Sequence, residues 1–337
     1  MIDPRLNYVL CPGPAAAHGP SGVSKTALPT QHRMAYWEWN ATGDPHHPHV
    51  VVCVHGLSRQ GRDFDALARI LSQHARVICP DVVGRGRSDW LADPLAYQIP
   101  QYAADMLCLL AQLQQQAPVQ QLDWVGTSMG GLIGMVLCGQ PGLGVADLLA
   151  DPGQAPRRVG SAWPLAVPVR RLVLNDVGPV IAWEALQRIG QYLGAPVRFA
   201  SEEQAAAALW AVSSTFGPHT PAQWLALSRP MLRTLPEGGL ALHYDPAIAL
   251  PFRAMTLDAT VAGEAQLWAL YDRIEAQTLL LRGAQSDLLS RETAQAMGQR
   301  GPRAVTVEFE GVGHAPTLVA EDQLKAVVDF LQPSQGV

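Results

Sequence analysis

Charged side chains are scarce in this chain. Of its 337 residues only 16% are Asp, Glu, Lys or Arg, and the formal net charge is −5. No Lys and Arg residues cluster into a basic stripe, which argues against a nucleic-acid partner. Hydrophobic residues make up 48% of the chain, so a large core is available for a domain of this length.

Long apolar segments are also missing. No run approaches the length of a membrane-spanning helix, and residues 1–5 lack the basic and apolar regions of a signal peptide. Cysteine is rare and odd in number: four of the five cysteines lie in apolar strand or helix patterns, where free buried thiols are expected. We therefore expect a cytoplasmic protein with no membrane partner.

The most informative stretch is Gly-Thr-Ser-Met-Gly at residues 126–130. It follows a predicted strand at 122–125 and precedes a predicted helix at 132–138, the context in which G-x-S-x-G marks a nucleophile. A Cβ at Gly126 or Gly130 would crowd such a turn. The helix N-terminus adds unpaired N–H groups and a positive dipole end beside the serine. The pattern predicts Ser128 as the nucleophile.

Two further strand-and-loop segments carry an acid and a histidine. A predicted strand at 279–281 runs into a loop that ends at Asp287, and a strand at 305–309 is followed by Gly-Val-Gly-His at 311–314. The chain order is therefore Ser, Asp, His. With these motifs the chain resembles the α/β-hydrolases, of the serine esterase and C–C hydrolase type, over residues 33–330.

The resemblance implies an α/β fold with a mostly parallel eight-stranded sheet, helices on both faces and an inserted helical cap. We expect the core at 33–178 and 256–337, and the cap at 179–255, where strands and helices no longer alternate. Residues 1–32, rich in Pro, Gly and Ala, are expected to form an arm lying on the surface, and a homo-oligomer is left open. The five-proline segment 141–168 is expected to be an extended surface loop.

Serine needs a base to become a nucleophile at neutral pH. We predict that His314 is this base and that Asp287 orients its imidazole. Asp176, which also ends a predicted strand, is the alternative acid. The oxyanion donors are expected to be the backbone N–H groups of Met129 and Leu57, with His55 supporting the second loop.

Other side chains could line the pocket. Arg59 lies two residues after Leu57 and either binds an anionic substrate group, points to solvent or pairs with Asp63. The cap aromatics Trp183, Trp210 and Phe216 either line the pocket or pack cap helices against each other.

No cofactor or metal is expected. The histidine-rich turn at 44–49 is interrupted by prolines and is interpreted as a solvated loop rather than a metal site. The glycines at 84–89 lack the Lys-Ser/Thr of a phosphate loop and are interpreted as a structural turn beside the active site.

Haloalkane dehalogenases and epoxide hydrolases of this fold carry aspartate at the nucleophile position, so the resemblance, with serine at 128, disfavours these two activities. The leading hypothesis is a serine hydrolase that cleaves a small or medium carboxylic ester through an acyl-enzyme. The alternatives are hydrolysis of a C–C bond in a meta-cleavage product, a perhydrolase or acyltransferase, and a non-catalytic ligand receptor. In each case the expected partner is a small molecule.

Overall fold

The structure is a computed structural model that describes residues 3–13, 31–140, 142–149 and 167–332. Within these residues the strands are β1 (Arg5–Pro12), β2 (Gln31–Trp39), β3 (His49–Val54), β4 (Arg76–Pro80), β5 (Gln121–Thr127), β6 (Val169–Asn175), β7 (Leu232–Thr234), β8 (Leu240–Leu242), β9 (Gln277–Gly283) and β10 (Val305–Phe309). The α-helices are α1 (Asp65–Leu71), α2 (Ile99–Gln116), α3 (Met129–Gly139), α4 (Val145–Leu148), α5 (Trp183–Tyr192), α6 (Glu202–Ser213), α7 (Pro221–Ser228), α8 (Ala249–Arg253), α9 (Leu257–Tyr271), α10 (Arg291–Met297) and α11 (Glu321–Leu331).

Eight of these strands form one twisted sheet in the order β1-β2-β4-β3-β5-β6-β9-β10. The six strands from β4 to β10 in this order pair in parallel. At one edge of the sheet, β2 pairs antiparallel with β4, and β1 pairs antiparallel with β2. The edge strand β10 is mostly exposed, whereas the central parallel strands are largely buried because helices cover both faces of the sheet. In β3, for example, Val50, Val52 and Val54 enter one core cluster, while Val51 and Cys53 enter the other. The predicted fold class is confirmed.

The N-terminal segment corrects one expectation. Instead of lying on the surface as an arm, residues 5–12 pair with β2 and extend the sheet by one strand. The reason is a short alternating pattern: Val9 and Cys11 are buried, whereas Tyr8 and Leu10 are exposed. Of the predicted arm, residues 1, 2 and 14–30 lie outside the described residues, as does most of the predicted loop at 141–168.

Between β6 and β9 the chain forms helices α5 to α9 and the small β7–β8 hairpin. This region lies against the core loops. His219, between α6 and α7, contacts the Thr317 hydroxyl at 2.7 Å through Nε2, and Arg59 donates to the carbonyl of Leu227 at 3.3 Å. The segment therefore covers the carboxyl edge of the sheet. The limits 179–255 for a cap domain stay a prediction.

Two sequence expectations concern the environment of the protein. No helix among the described residues combines the length and the apolar character needed to cross a membrane. All five cysteines are free thiols. The cytoplasmic location itself stays a prediction.

Candidate active site

Ser128 lies at the junction of β5 and α3 with positive φ (φ 51°, ψ −116°). Its N–H donates to the carbonyl of Asn175 at 2.9 Å, and its own carbonyl accepts from the N–H of Gly131 at 2.8 Å. These bonds hold an L-residue in a conformation that it rarely adopts, and such strain persists only where the surroundings enforce it.

The glycines of the turn are required by close backbone contacts. A Cβ on Gly130 would lie 2.0 Å from the carbonyl oxygen of Val54, and one on Gly126 would lie 2.3 Å from the carbonyl oxygen of Gly130. Both separations are far below van der Waals contact. The turn thus packs directly on β3, as predicted from the crowding that a Cβ at Gly126 or Gly130 would cause.

Ser128, His314 and Asp176 form a hydrogen-bonded series. The Ser128 Oγ lies 3.0 Å from Nε2 of His314, and Nδ1 of the same imidazole lies 2.7 Å from Oδ2 of Asp176. His314 comes from the loop after β10, and Asp176 directly follows β6. This geometry suits a base that takes the serine proton while the carboxylate fixes the imidazole tautomer.

The carboxylate of Asp176 is fully buried and held from several sides. Its Oδ1 accepts from the N–H of Gly283 at 2.9 Å, and its Oδ2 accepts from the hydroxyl of Ser286 at 2.6 Å as well as from His314. These hydrogen bonds fix the orientation of the carboxylate toward His314.

The structure corrects the prediction that Asp287 orients His314. Asp287 lies instead in a bidentate ion pair with Arg188, at 2.8 and 3.0 Å, with nearly half of its side chain exposed. The physical reason is the alignment of β6 with β9, which pairs Asn175 with Leu281 and so brings Asp176 beside the end of β9. From that loop, Ser286 rather than Asp287 reaches the histidine's partner.

The two predicted oxyanion donors lie beside Ser128. Met129 is the first residue of α3, and a Cβ on Gly56, the residue before Leu57, would lie 3.7 Å from the Cβ of Ser128. Among the described residues, neither the Met129 nor the Leu57 amide has a hydrogen-bond acceptor. Unpaired N–H groups at this position suit a developing oxyanion.

Arg85 supports both donors and was missed from the sequence. Although fully buried, it donates through Nε to the carbonyl of Leu57 at 2.8 Å and through NH1 to the hydroxyl of Tyr102 at 3.0 Å. Its NH2 lies 3.7 Å from the sulfur of Met129. The only sequence signal was a charged residue between two glycines in the turn at 84–89, and nothing in that pattern indicates that the side chain points inward.

His55 supports the same loop. Its Nδ1–H donates to the carbonyl of Gly56 at 2.7 Å, and its Nε2 accepts from the N–H of Val82 at 2.9 Å. Burial lowers the pKa of His55 to about 3. The ring is therefore neutral at pH 7, and both nitrogens serve structure rather than proton transfer.

A cavity of about 220 Å³ opens above Ser128 and His314. Its walls are mainly apolar side chains from the region between β6 and β9, including Ile189, Val197, Phe199, Leu209, Val212, Phe216, Leu227, Met231 and Leu242. Phe216 is thus a lining residue, whereas Trp183 and Trp210 are not. Trp210 packs edge-on against Trp224 with ring centroids 5.0 Å apart, which is the alternative that the sequence left open.

Arg59 lines the cavity, but its charge is neutralised. It forms a bidentate pair with Asp63 at 2.6 and 2.7 Å, and the two side chains are only 12% and 17% exposed. Of the alternatives considered for Arg59, the structure shows the pairing with Asp63.

One buried group of potential metal ligands occurs among the described residues, at Cys11, His32 and Asp105. It lies between β1, β2 and α2, not at the serine. His32 Nε2 lies 2.9 Å from the Asp105 carboxylate, which also accepts from Gln101 at 2.8 Å, so hydrogen bonds account for the grouping. That the protein needs no metal stays a prediction.

The pKa of His55 leads to a stability prediction. Because the native pKa of about 3 lies below the unfolded value of 6.5, the unfolded state binds the proton first as the pH falls. The contribution of His55 to stability is complete above pH 6.5 and is lost progressively toward pH 3. At pH 5 the loss is about 2 kcal/mol.

Urea unfolding at pH 7 and pH 5 measures this effect. The drop in unfolding free energy between the two pH values should be about 2 kcal/mol smaller in His55→Gln than in the parent. His46→Gln, which changes an exposed histidine, is the control and should keep the parental drop. An unchanged drop in His55→Gln would contradict the role given to the neutral ring.

Comparison with known proteins supports the fold and the enzyme class. A 3-hydroxybutyrate-oligomer hydrolase of Cupriavidus necator is 47% identical over 97% of this chain and 98% of its own length. A pimeloyl-[acyl-carrier protein] methyl ester esterase of Xanthomonas campestris is 27% identical over 82% of this chain and 92% of its own.

Among solved structures, an alpha/beta hydrolase from Novosphingobium aromaticivorans superposes with a TM-score of 0.73 at 31% identity, over 98% of this chain and 99% of that one. The sequence profile of the alpha/beta hydrolase family matches residues 51–330. The resemblance, the fold class and the prediction of a hydrolase are thereby confirmed. The chain belongs to the alpha/beta hydrolase family.

Proposed function

We propose that the protein is a serine esterase that hydrolyses short oligomers of 3-hydroxybutyrate or closely related hydroxy acids through an acyl-enzyme on Ser128. The observation that carries the reaction type is the hydrogen-bonded series of Ser128, His314 and Asp176 beneath an apolar cavity. The substrate class is supported by the 47% identity to the Cupriavidus oligomer hydrolase.

In the proposed mechanism Nε2 of His314 takes the hydroxyl proton while Ser128 Oγ attacks the ester carbonyl. Asp176 keeps the imidazole in the required tautomer and stabilises its charged form. The amides of Met129 and Leu57 donate to the oxyanion, and one such donor stabilises the transition state by about 2.7–4 kcal/mol. His314 then protonates the leaving alcohol, and a water molecule activated by the same histidine releases the acid.

The cavity supports a small, largely apolar substrate. Its aliphatic and aromatic walls can bury the methyl-bearing chain of a hydroxybutyrate unit. No specific observation favours C–C cleavage, perhydrolysis or acyl transfer, and a complete Ser-His-Asp series argues against a non-catalytic receptor. The free thiols of the five cysteines support a reducing compartment such as the cytoplasm.

The acid assignment is tested by two matched substitutions. Asp176→Asn should lower kcat on p-nitrophenyl butyrate by about 10⁴-fold, since an amide traps the wrong imidazole tautomer. Asp287→Asn, the same chemical change at the ion pair with Arg188, should cost less than tenfold. Ser128→Ala should abolish turnover without loss of folding. A larger loss in Asp287→Asn than in Asp176→Asn would reverse the assignment.

The substrate proposal is tested by direct comparison of kcat/KM. We expect release of monomer from 3-hydroxybutyrate dimer and trimer, with kcat/KM at least tenfold above that for pimelate monomethyl ester. A meta-cleavage dienoate should not be cleaved. Preferential cleavage of the dienoate would replace this proposal by the C–C hydrolase alternative.

A further inference from the structure

Arg188 presents a positive charge to the cavity while its counter-ion stays outside. The residue lies on α5 and lines the cavity, but its partner Asp287 does not. The guanidinium binds both carboxylate oxygens, and the two side chains are 37% and 47% exposed. An ion pair this accessible to water contributes at most about 1 kcal/mol, so another carboxylate can replace Asp287 at little cost.

Arg59, the other arginine that lines the cavity, has its counter-ion inside the cavity. Both members of the Arg59–Asp63 pair line the cavity, so they present no net charge to it. That pair is much less exposed, and Arg59 also donates to the carbonyl of Leu227. Apart from histidines, Arg59, Asp63 and Arg188 are the charged side chains that line the cavity in the described part of the chain. An anionic substrate group that enters the cavity is therefore stabilised most by binding to Arg188.

Tyr192 supplies a second donor on the same wall. It lies four residues after Arg188 on α5, hence on the same helix face, and it also lines the cavity. Burial raises the pKa of Tyr192, so the phenol keeps its proton at neutral pH and can donate to an acceptor. A guanidinium and a phenol on one face offer a carboxylate a bidentate partner and an additional hydrogen bond.

We propose that Arg188 binds the free carboxylate end of the substrate, and that Asp287 is the exchangeable counter-ion that this carboxylate displaces. The inference rests on the proposed function, because an oligomer of hydroxy acids carries one free carboxylate at its end. In the dimer that carboxylate belongs to the alcohol half, which takes the proton from His314 when its C–O bond to the carbonyl carbon breaks, while the acyl half stays on Ser128. The enzyme thus selects free acids over their neutral esters.

The experiment compares 3-hydroxybutyrate dimer with its methyl ester, which has the same scissile bond without the charge. The parent enzyme should prefer the free acid, and rising salt should reduce this preference. In Arg188→Met the ratio of kcat/KM for the acid to that for the methyl ester should fall at least tenfold, mainly through KM. Tenfold corresponds to about 1.4 kcal/mol. Arg188→Lys, which keeps the charge but loses the bidentate geometry, should restore part of the ratio.

Asp287→Asn is the converse substitution to Arg188→Met, because it removes the competing carboxylate and leaves the guanidinium of Arg188 free. The acid-to-ester ratio should rise through a lower KM for the acid, or stay at its parental value because displacing Asp287 from an exposed pair costs the substrate little. Arg229→Met serves as the matched control, since Arg229 forms an exposed pair with Glu202 and does not line the cavity. Its ratio should equal that of the parent.

Three results would overturn the inference. One is a parent enzyme that treats the acid and its methyl ester alike. Another is equal loss on both substrates in Arg188→Met and in Asp287→Asn, which would make the pair a structural link between α5 and the core. The third is a fall of the ratio in Asp287→Asn. None of these three results bears on whether the protein hydrolyses esters. Failure of the proposed function would be distinguishable, because neither the 3-hydroxybutyrate dimer nor its methyl ester would then be cleaved while p-nitrophenyl butyrate is still hydrolysed.

Discussion

The site depends on how closely the turn at Ser128 approaches β3. Gly130 leaves no room for a side chain against the carbonyl oxygen of Val54, and this contact fixes the start of α3 relative to the sheet. As a result the hydroxyl of Ser128, the N–H of Met129 and the N-terminal end of the helix dipole share one position. The strained φ of Ser128 is tolerated because strand, helix and the carbonyl of Asn175 enforce it together.

Parallel pairing then assembles the rest of the site. The carboxyl ends of β3, β5, β6 and β10 meet at one edge of the sheet, so the loops with Leu57, Ser128, Asp176 and His314 converge although they are far apart in sequence. Arg85 and His55 fix the Leu57 loop from below through buried hydrogen bonds. The helices between β6 and β9 close the cavity from above.

The sequence predicted those parts of the site that local patterns determine. The strand–turn–helix context pointed to Ser128, and the position after the last strand pointed to His314. The structure brings Oγ of Ser128 to 3.0 Å from Nε2 of His314, while the catalytic roles of the two residues stay a prediction. The choice between Asp176 and Asp287 depends on the alignment of β6 with β9, which no local pattern encodes. The same limit applies to Trp210, whose partner Trp224 lies on another helix. The N-terminal strand was missed because only Val9 and Cys11 carry its alternation.

The proposed mechanism requires that Ser128 be activated by a histidine that Asp176 orients. The most direct measurement is the rate at which a fluorophosphonate labels the protein, with the site located by peptide mass spectrometry, in the parent, Asp176→Asn and Asp287→Asn. We expect rapid labelling of Ser128 alone in the parent and in Asp287→Asn, and labelling slower by about 10³-fold or more in Asp176→Asn. Labelling of another residue, or fast labelling of Ser128 without Asp176, would contradict it.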